Sequence, residues 1–456
     1  MAIPVGTEKQ YQIKDGYIIS VVIGEYDYEA DVTSIRIVTS LNSSYPVYVI
    51  RLNLRPIEIL QHKILGQEVI KLSIKHIDIS GNSELDQPYE IDLMYLSGSF
   101  DIPSSNQLLT NADSLQDLAP YTMRCVPEAA FLFMTTTMNF IFRESKIPNI
   151  FSFISNKGID KIKNKTNTKI SVFFDALSPY INKRPVPQII LPPTIIKNQF
   201  DYLLEEFGMF STWGCIFASI AEDTSNKIYI NALDIGYQFE SGENLFNLRQ
   251  LAIDTEDSKT DTYGYDNFYI TTPITTKYIA NTTIGNIGNN IKYIHKPIDR
   301  FSRFTVDSQV EDEILMNELA FDSLPDFMYF LDDINEPYLT TALENRIRYD
   351  TSHIAHYKDE KDKSMFQDKY WLESNINKKV MNFSQLNCKL EKHIPIFKFT
   401  DIGKMVTFKS ETLEYKPYNG KYILFSSDMS FRRSKTWEMT VDINLIRPKW
   451  SMGKDD

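Results

Sequence analysis

The stretch Trp437–Arg447, WEMTVDINLIR, carries the clearest local signal in the 456-residue chain. Trp437, Met439, Val441, Ile443 and Leu445 fall at every second position, with Glu438, Thr440, Asp442 and Asn444 between them. Side chains of a strand alternate between its two faces, so this pattern predicts a strand buried on one side and wet on the other. Working backwards, KYILFSS at Lys421–Ser427 follows Asn419-Gly420, a dipeptide suited to a tight turn, and KMVTFKS at Lys404–Ser410 reads as a further strand. The C-terminal end is therefore a run of strands.

The first hundred residues read the same way. Tyr17–Gly24 is a short apolar run, and Thr33, Ile35, Ile37 and Thr39 share one face of an alternating strand. Tyr48, Ile50, Leu52 and Leu54 share another, with Val49, Arg51 and Asn53 opposite. Pro56 opens a short helical pattern, PIEILQHKIL, which Gly66 stops. Ile70, Leu72 and Ile74 alternate with Lys71, Ser73 and Lys75, and Ile91, Leu93 and Tyr95 with Glu90 and Asp92. Consecutive period-2 segments with one short helix predict a small antiparallel sheet or barrel.

Between the two β-rich ends the pattern is mixed. Residues 100–120 are polar and punctuated by proline, and read as a linker or a loop with a short helix. Glu128–Lys146 carries Phe131, Met134, Met138 and Ile141 at helical spacing and predicts a helix. Ile170–Leu177 reads as helix or strand, Asn198–Glu206 as a helix closed by Phe207-Gly208, and Lys227–Leu233 as a strand. Residues 237–300 are rich in Asn, Thr, Tyr and Ile, with β-like runs such as Phe268–Ile274. Asp307–Glu336 holds ten acidic residues and no basic one, yet also Leu315, Leu319, Phe321, Phe327, Tyr329 and Phe330, which predicts packed helical pieces with an acidic outer face. Ser352–Lys379 reads as exposed loop and helix. The expected class is α+β and β-rich: a first β-domain at 1–105, a mixed helical and β domain at 106–250, an expansion with acidic helical segments at 251–390, and part of a second β-domain at 391–456.

Composition narrows the function. Apolar residues make up 43% and charged residues 24%, which excludes a disordered, collagenous or coiled-coil chain. With 48 basic and 60 acidic residues the net charge is −12, the wrong sign for wrapping a nucleic acid backbone. Cys125, Cys215 and Cys388 are far apart and without CxxC spacing, so they read as buried reduced thiols. The first fifteen residues lack the basic and apolar regions of a signal peptide, and no apolar run approaches the roughly 20 residues that span a bilayer. The expectation is synthesis in a cytoplasm without membrane insertion.

No constellation carries chemistry. Of the six histidines only His353 and His356 are close, and neither an HExxH frame nor a third ligand accompanies them. Glu205-Glu206, Glu311-Asp312-Glu313 and Asp332-Asp333 are adjacent carboxylates, but glycoside hydrolysis needs two carboxylates held across a sugar, which adjacency does not provide. Gly285 and Gly288 lack the Lys-Ser/Thr of a phosphate loop. Lys157, Lys161, Lys163, Lys165 and Lys169 form the one dense basic cluster; it reads as an exposed loop, or else as a contact to an acidic neighbouring protein. No catalytic, cofactor-binding or metal-ligating residue is assigned. An acidic chain with 28 Phe, 26 Tyr and no visible site is consistent with an assembly component, because aromatics are favoured at interfaces.

Two stretches together resemble a known family. The first, Ile190–Ile235, has paired Pro192-Pro193, a helix ending in Phe207-Gly208-Met209-Phe210, and a short β-hairpin. The second has a Gly403-Lys404-Met405-Val406 strand entry, then Tyr418-Asn419-Gly420-Lys421-Tyr422-Ile423, Phe431 and the closing Trp437–Arg447 strand. This order is similar to that of the baseplate central hub proteins of contractile-tailed bacteriophages, the T-even type. The resemblance implies two tail-tube-like β-barrels per subunit and a homotrimer whose ring joins the sixfold tail tube to the threefold central spike. It also implies wedge or other baseplate proteins around the ring, DNA passing through the lumen without specific binding, a place in the virion, and no enzymatic activity. The rival expectations are a cell-wall-degrading hydrolase or another virion adaptor. Residues 251–390 have no counterpart in the resemblance.

Overall fold

A computed structural model describes residues 16–41, 43, 45–55, 58–59, 64, 69–77, 89–100, 118–160, 171–172, 185–203, 210–211, 214–222, 228–234, 244–250, 267–270, 275–278, 356–358, 365–367, 384–391, 401–410, 418–434 and 436–447. The chain divides into two compact units. The first comprises Met1–Ile37, Val47–Glu128 and Met429–Thr440; the second comprises Val38–Pro46, Ala129–Asp428 and Val441–Asp456.

The first unit is built on β1 (Gly16–Ile23), β2 (Tyr26–Asp27), β3 (Val32–Ser40, as far as Ile37), β4 (Val47–Leu54), β5 (Val69–Ile77), β6 (Tyr89–Phe100) and β7 (Ala119–Pro127). The strand order is β3-β4-β7-β6-β5-β1-β2. The pairings β4–β7, β7–β6, β6–β5, β5–β1 and β1–β2 are all antiparallel. Most of the predicted rows are buried, namely Ile35, Ile37, Tyr48, Ile50, Leu52, Leu54, Ile70, Leu72, Ile74, Ile91 and Leu93, while Thr33 and Tyr95 are half-buried. Burying a side chain of this size stabilises by about 1.5–3 kcal/mol, so one continuous apolar face holds the unit together.

Strand β7 departs from the linker expectation for residues 100–120, since its first residues belong to the sheet and it lies between β4 and β6. Residues 101–117 lie outside the described residues. Tyr121, Met123 and Cys125 alternate into the core, but Val126 and Pro127 are buried too, which blurs the period-2 signal. Register between β6 and β7 shifts between Tyr95 and Ser97. Just beyond this bulge Tyr95 and Tyr121 join hydroxyls at 2.9 Å. A Cβ on Gly98 would stand 2.2 Å from the Tyr121 hydroxyl and 2.5 Å from that of Tyr95, so the bare glycine is what admits the pair. A second hydroxyl pair, Tyr48 with Tyr89 at 2.6 Å, satisfies two tyrosines in the core.

From Ala129 onward the second unit holds α1 (Glu128–Thr135, after its first residue), β8 (Thr137–Lys146), α2 (Ile147–Asp160), β9 (Ser171–Val172), β10 (Pro185–Ile195) and α3 (Ile196–Tyr202). The single helix expected over Glu128–Lys146 is thus a helix followed by a strand. Three consecutive β-branched threonines, Thr135–Thr137, end it: Thr135 Oγ1 bonds back to Phe131 O at 3.0 Å and the Thr136 N–H closes on Leu132 O at 2.9 Å. The next residues then pair with β10 in an antiparallel ribbon. The Asn198–Glu206 helix is found at α3, beginning two residues earlier; residues 204–208 lie outside the described residues. Of Ile170–Leu177, Ser171–Val172 is strand and the rest lies outside them.

The helices make an aromatic core. Phe151 stacks on Phe200 with ring centroids 4.3 Å apart, and Phe133 lies 5.7 Å from Phe200. Ile150, Ile154, Ile196 and Leu203 are buried as well. A Cβ on Gly158 would sit 3.0 Å from both Ile196 Cδ1 and Phe133 Cζ, so α2 packs against its neighbours through that bare position.

The remaining strands are β11 (Phe210–Ser211), β12 (Gly214–Glu222), β13 (Ile228–Asp234), β14 (Asn244–Gln250), β15 (Asn267–Ile270), β16 (Thr275–Tyr278), β17 (His356–Lys358), β18 (Met365–Gln367), β19 (Ser384–Glu391), β20 (Met405–Ser410), β21 (Gly420–Arg433) and β22 (Trp437–Arg447). β12 and β13 form the expected hairpin. β14 runs parallel to both β15 and β20, and β20 runs antiparallel to β21. β16 pairs with β19, which in turn pairs with β22. Within 352–379, β17 and β18 pair as strands where loop and helix were expected. The acidic stretch 307–336 lies outside the described residues, as does most of the PIEILQHKIL segment; its Glu58 and Ile59 are helical. In β22 the expected row is found: Trp437, Met439, Val441, Ile443 and Leu445 are all buried, and Glu438 and Asp442 are exposed.

Candidate assembly surfaces

The described residues hold no group of three His, Cys, Asp or Glu placed to bind a metal. Of the histidine pair, His356 begins β17 and His353 lies outside the described residues. Cys125 and Cys388 are free and buried, and burial pushes both thiols up to about 12, which leaves them protonated and inert. Of the lysine cluster, Lys157 is described: its Nζ stands 5.8 Å from the centroid of the Phe153 ring. The other four lysines lie outside the described residues, as do the adjacent carboxylates at 205–206, 311–313 and 332–333 and Gly285 and Gly288. No described helix is long and apolar enough to cross a membrane.

The surfaces that stand out are faces of sheets. In the β8–β10 ribbon, Pro192 and Pro193 sit at a register shift between Leu191 and Thr194. Proline has no N–H, so strand carbonyls around the shift lose their ladder donors. Gln199 of α3 replaces them. Its fully buried Nε2 donates to Met138 O, to Pro192 O at 3.1 Å and to Thr194 O at 3.4 Å. Gln199→Leu should strand these acceptors but also remove the buried Gln199 Oε1, which has no partner among the described residues, for a net loss of about 1–2 kcal/mol in urea unfolding, with the midpoint shifted and the slope unchanged. On the same ribbon Ile141 and Ile190 are cross-strand partners and are 64% and 57% exposed, the most exposed apolar pair in register among the described residues.

In the first unit the outward face of the sheet is charged. Arg51 and Arg124 are exposed on β4 and β7, Lys71 and Lys75 on β5, and Glu90 on β6 with Asp92 half-buried beside it. At one end of this sheet Arg433 ties the β2–β3 turn: its Nη1 donates to Glu29 O and Ala30 O, both at 2.9 Å, and its guanidinium stands 5.9 Å from the Trp437 ring centroid. Partial burial raises the Asp31 carboxyl above its ordinary value, the Glu58 carboxylate adds to this, and Arg433 opposes it. A raised carboxyl pKa penalises the folded state above that pKa and ceases to do so below the unfolded value. Asp31→Asn should therefore raise the melting temperature at neutral pH. That advantage should fade as pH falls through the Asp31 titration, and a constant gain at all pH values would refute the assignment.

No family model and no curated protein matches the chain by sequence. Solved structures do match by shape. The tail protein from Neisseria meningitidis MC58 aligns with a TM-score of 0.52 at 8% identity, covering 95% of this chain and 97% of that one. The 43 kDa tail protein of prophage MuSo2 from Shewanella oneidensis aligns at 0.49 with 10% identity, covering 94% and 98%. An E. coli component of the type VI secretion system, itself structurally similar to T4 bacteriophage tail proteins gp27 and gp5, aligns at 0.42 with 10% identity, covering 95% and 77%. This chain thus shares its fold, β-rich with few helices, with the Neisseria tail protein along nearly the whole of both chains.

Proposed function

We propose that the protein is a structural hub in the tail of a contractile phage or a related injection machine, working as a homotrimer. The observation that carries this reading is the fold shared end to end with a tail protein. The order of motifs in Ile190–Ile235 and Gly403–Arg447 supports it independently.

In this reading the β-rich ends of the chain, 1–105 and 391–456, supply two tube-like barrels per subunit. Three subunits then present six similar units, which is how a threefold ring can seat on a sixfold tail tube above and a threefold spike below. Strands from 106–250 and 251–390 complete the sheets of those ends, β7 beside β4 and β6, β14 beside β20, and β19 beside β22, and wedge or other baseplate proteins surround the ring. The protein performs no chemistry; it adapts symmetry and transmits force. Carboxylates toward the lumen repel phosphate, so DNA passes without sticking, and a predominantly basic lumen in the assembled ring would refute that part.

The test is the mass of the purified protein in solution, alone and mixed with a trimeric spike. A mass of three chains that binds one spike trimer is expected. A monomer at every concentration, with no spike bound, would overturn the proposal.

A further inference from the structure

The outward face of the first unit's sheet divides in two. On β5 and β6 the charges balance: Lys71 stands opposite Asp92, and Glu90, opposite Ser73, lies diagonal to Lys71 and Lys75. On β4 and β7 they do not. Arg51 is opposite Thr122, and Arg124 is opposite Val49 on one side and Ser97 on the other; Ser99 is opposite Thr122. None of these neighbours is a carboxylate. Arg51 Nε reaches Thr122 Oγ1 at 3.3 Å, and among the described residues neither arginine makes an ion pair. Two exposed guanidiniums, with uncharged Val49, Ser97 and Thr122 as their cross-strand partners on β4, β6 and β7, form a cationic platform.

The same unit carries the opposite feature. Residues Glu25–Asp31 read EYDYEAD, with four carboxylates and no base. Glu25, Asp27 and Glu29 are exposed, and Tyr26 between them is 46% exposed. The hydrogen bonds of Arg433 in this turn go to backbone carbonyl oxygens. The turn is firmly shaped: Glu29 N–H donates to Asp27 Oδ1 at 2.9 Å, and Asp31 N–H to Tyr28 O at 2.9 Å.

We infer that the Arg51–Arg124 platform of one copy receives the Glu25–Asp31 turn of a second copy. The inference rests on the hub reading and supplies one of its subunit contacts. Two different patches meeting head to tail form a heterologous interface, which closes into a ring when the rotation allows; a self-complementary patch would give a twofold dimer instead. Nucleic acid is the poorer occupant, because Glu90 and Asp92 share the face and repel phosphate, and the whole chain carries −12.

The test is charge reversal read by light scattering of the full chain. R51E/R124E and E25K/D27K/E29K should each fall to monomer mass, with assembly weakened roughly 100-fold or more, since like charges now meet. The chain carrying all five substitutions should regain the wild-type mass, because both patches are reversed together. Near-UV circular dichroism guards against misfolding: a variant that loses its native spectrum is replaced by its neutral version, R51Q/R124Q or E25Q/D27N/E29Q, expected to weaken assembly to a lesser degree. Either reversal keeping the wild-type mass, or the combined chain staying monomeric, would overturn the inference while leaving a trimeric wild type, and so the hub reading, intact. A monomeric wild type would overturn both. Salt-sensitive binding of duplex DNA, lost in R51E/R124E with the mass unchanged, would overturn it in favour of a nucleic acid contact.

Discussion

Val441→Asp should destabilise the second unit by about 3–5 kcal/mol and abolish assembly, because a carboxylate would be buried without a partner. Val441 is fully buried at the centre of the β22 row, with Ile443 and Leu445 equally enclosed beyond it. The partner strand β19 offers Leu386, Cys388 and Leu390, all buried and none able to pair with a charge. A shift of one residue in register cannot rescue it, since that would turn the whole apolar row to solvent. Val441→Thr, of nearly the same volume, isolates the charge and should cost much less. Urea unfolding of the soluble fraction checks the first quantity and light scattering the second. Val441→Asp protein with wild-type stability would show that the face assignment of β22 is wrong.

Phe200→Ala should cost about 3–5 kcal/mol, the range for removing a large aromatic from a packed core. Phe200 stacks on Phe151 and flanks Phe133, so its loss leaves a cavity bounded by two other rings and removes the link between α1, α2 and α3. Gly158 limits repair: α2 is already 3.0 Å from Phe133 and Ile196 at the position of a missing Cβ, which leaves little freedom to close the gap. Phe200→Leu keeps most of the volume and should retain about half of the stability lost in Phe200→Ala. Thermal unfolding of both variants reads the difference, and equal melting temperatures for Phe200→Ala and the wild type would contradict the packing described.

What was legible in the sequence follows from which elements carry a clean period. The rows of β4, β5 and β22 alternate without interruption, so their faces are legible in the sequence, including Arg51 on the outward side of β4. β7 was missed because Cys125, Val126 and Pro127 are buried in succession where the strand runs into α1. With β7 went Arg124, and so the cationic platform: a face made by two strands cannot be seen from one. The helix expected through Lys146 stopped at Thr135 because pairing with β10 outweighs a helical spacing that Phe131, Met134, Met138 and Ile141 also satisfy. Gln199 gave no local signal, since its role depends on Met138, 61 positions away in sequence. The parallel placement of β14 beside β20 is likewise set by tertiary structure alone.

On the proposed hub function, three copies of this chain imitate a sixfold ring. Electron microscopy of the purified assembly, averaged without imposed symmetry, tests it most directly. A ring with threefold symmetry, in which six similar β-units surround an open channel, is the expected result. A ring of any other order, or three subunits whose two ends show no common shape, would contradict it.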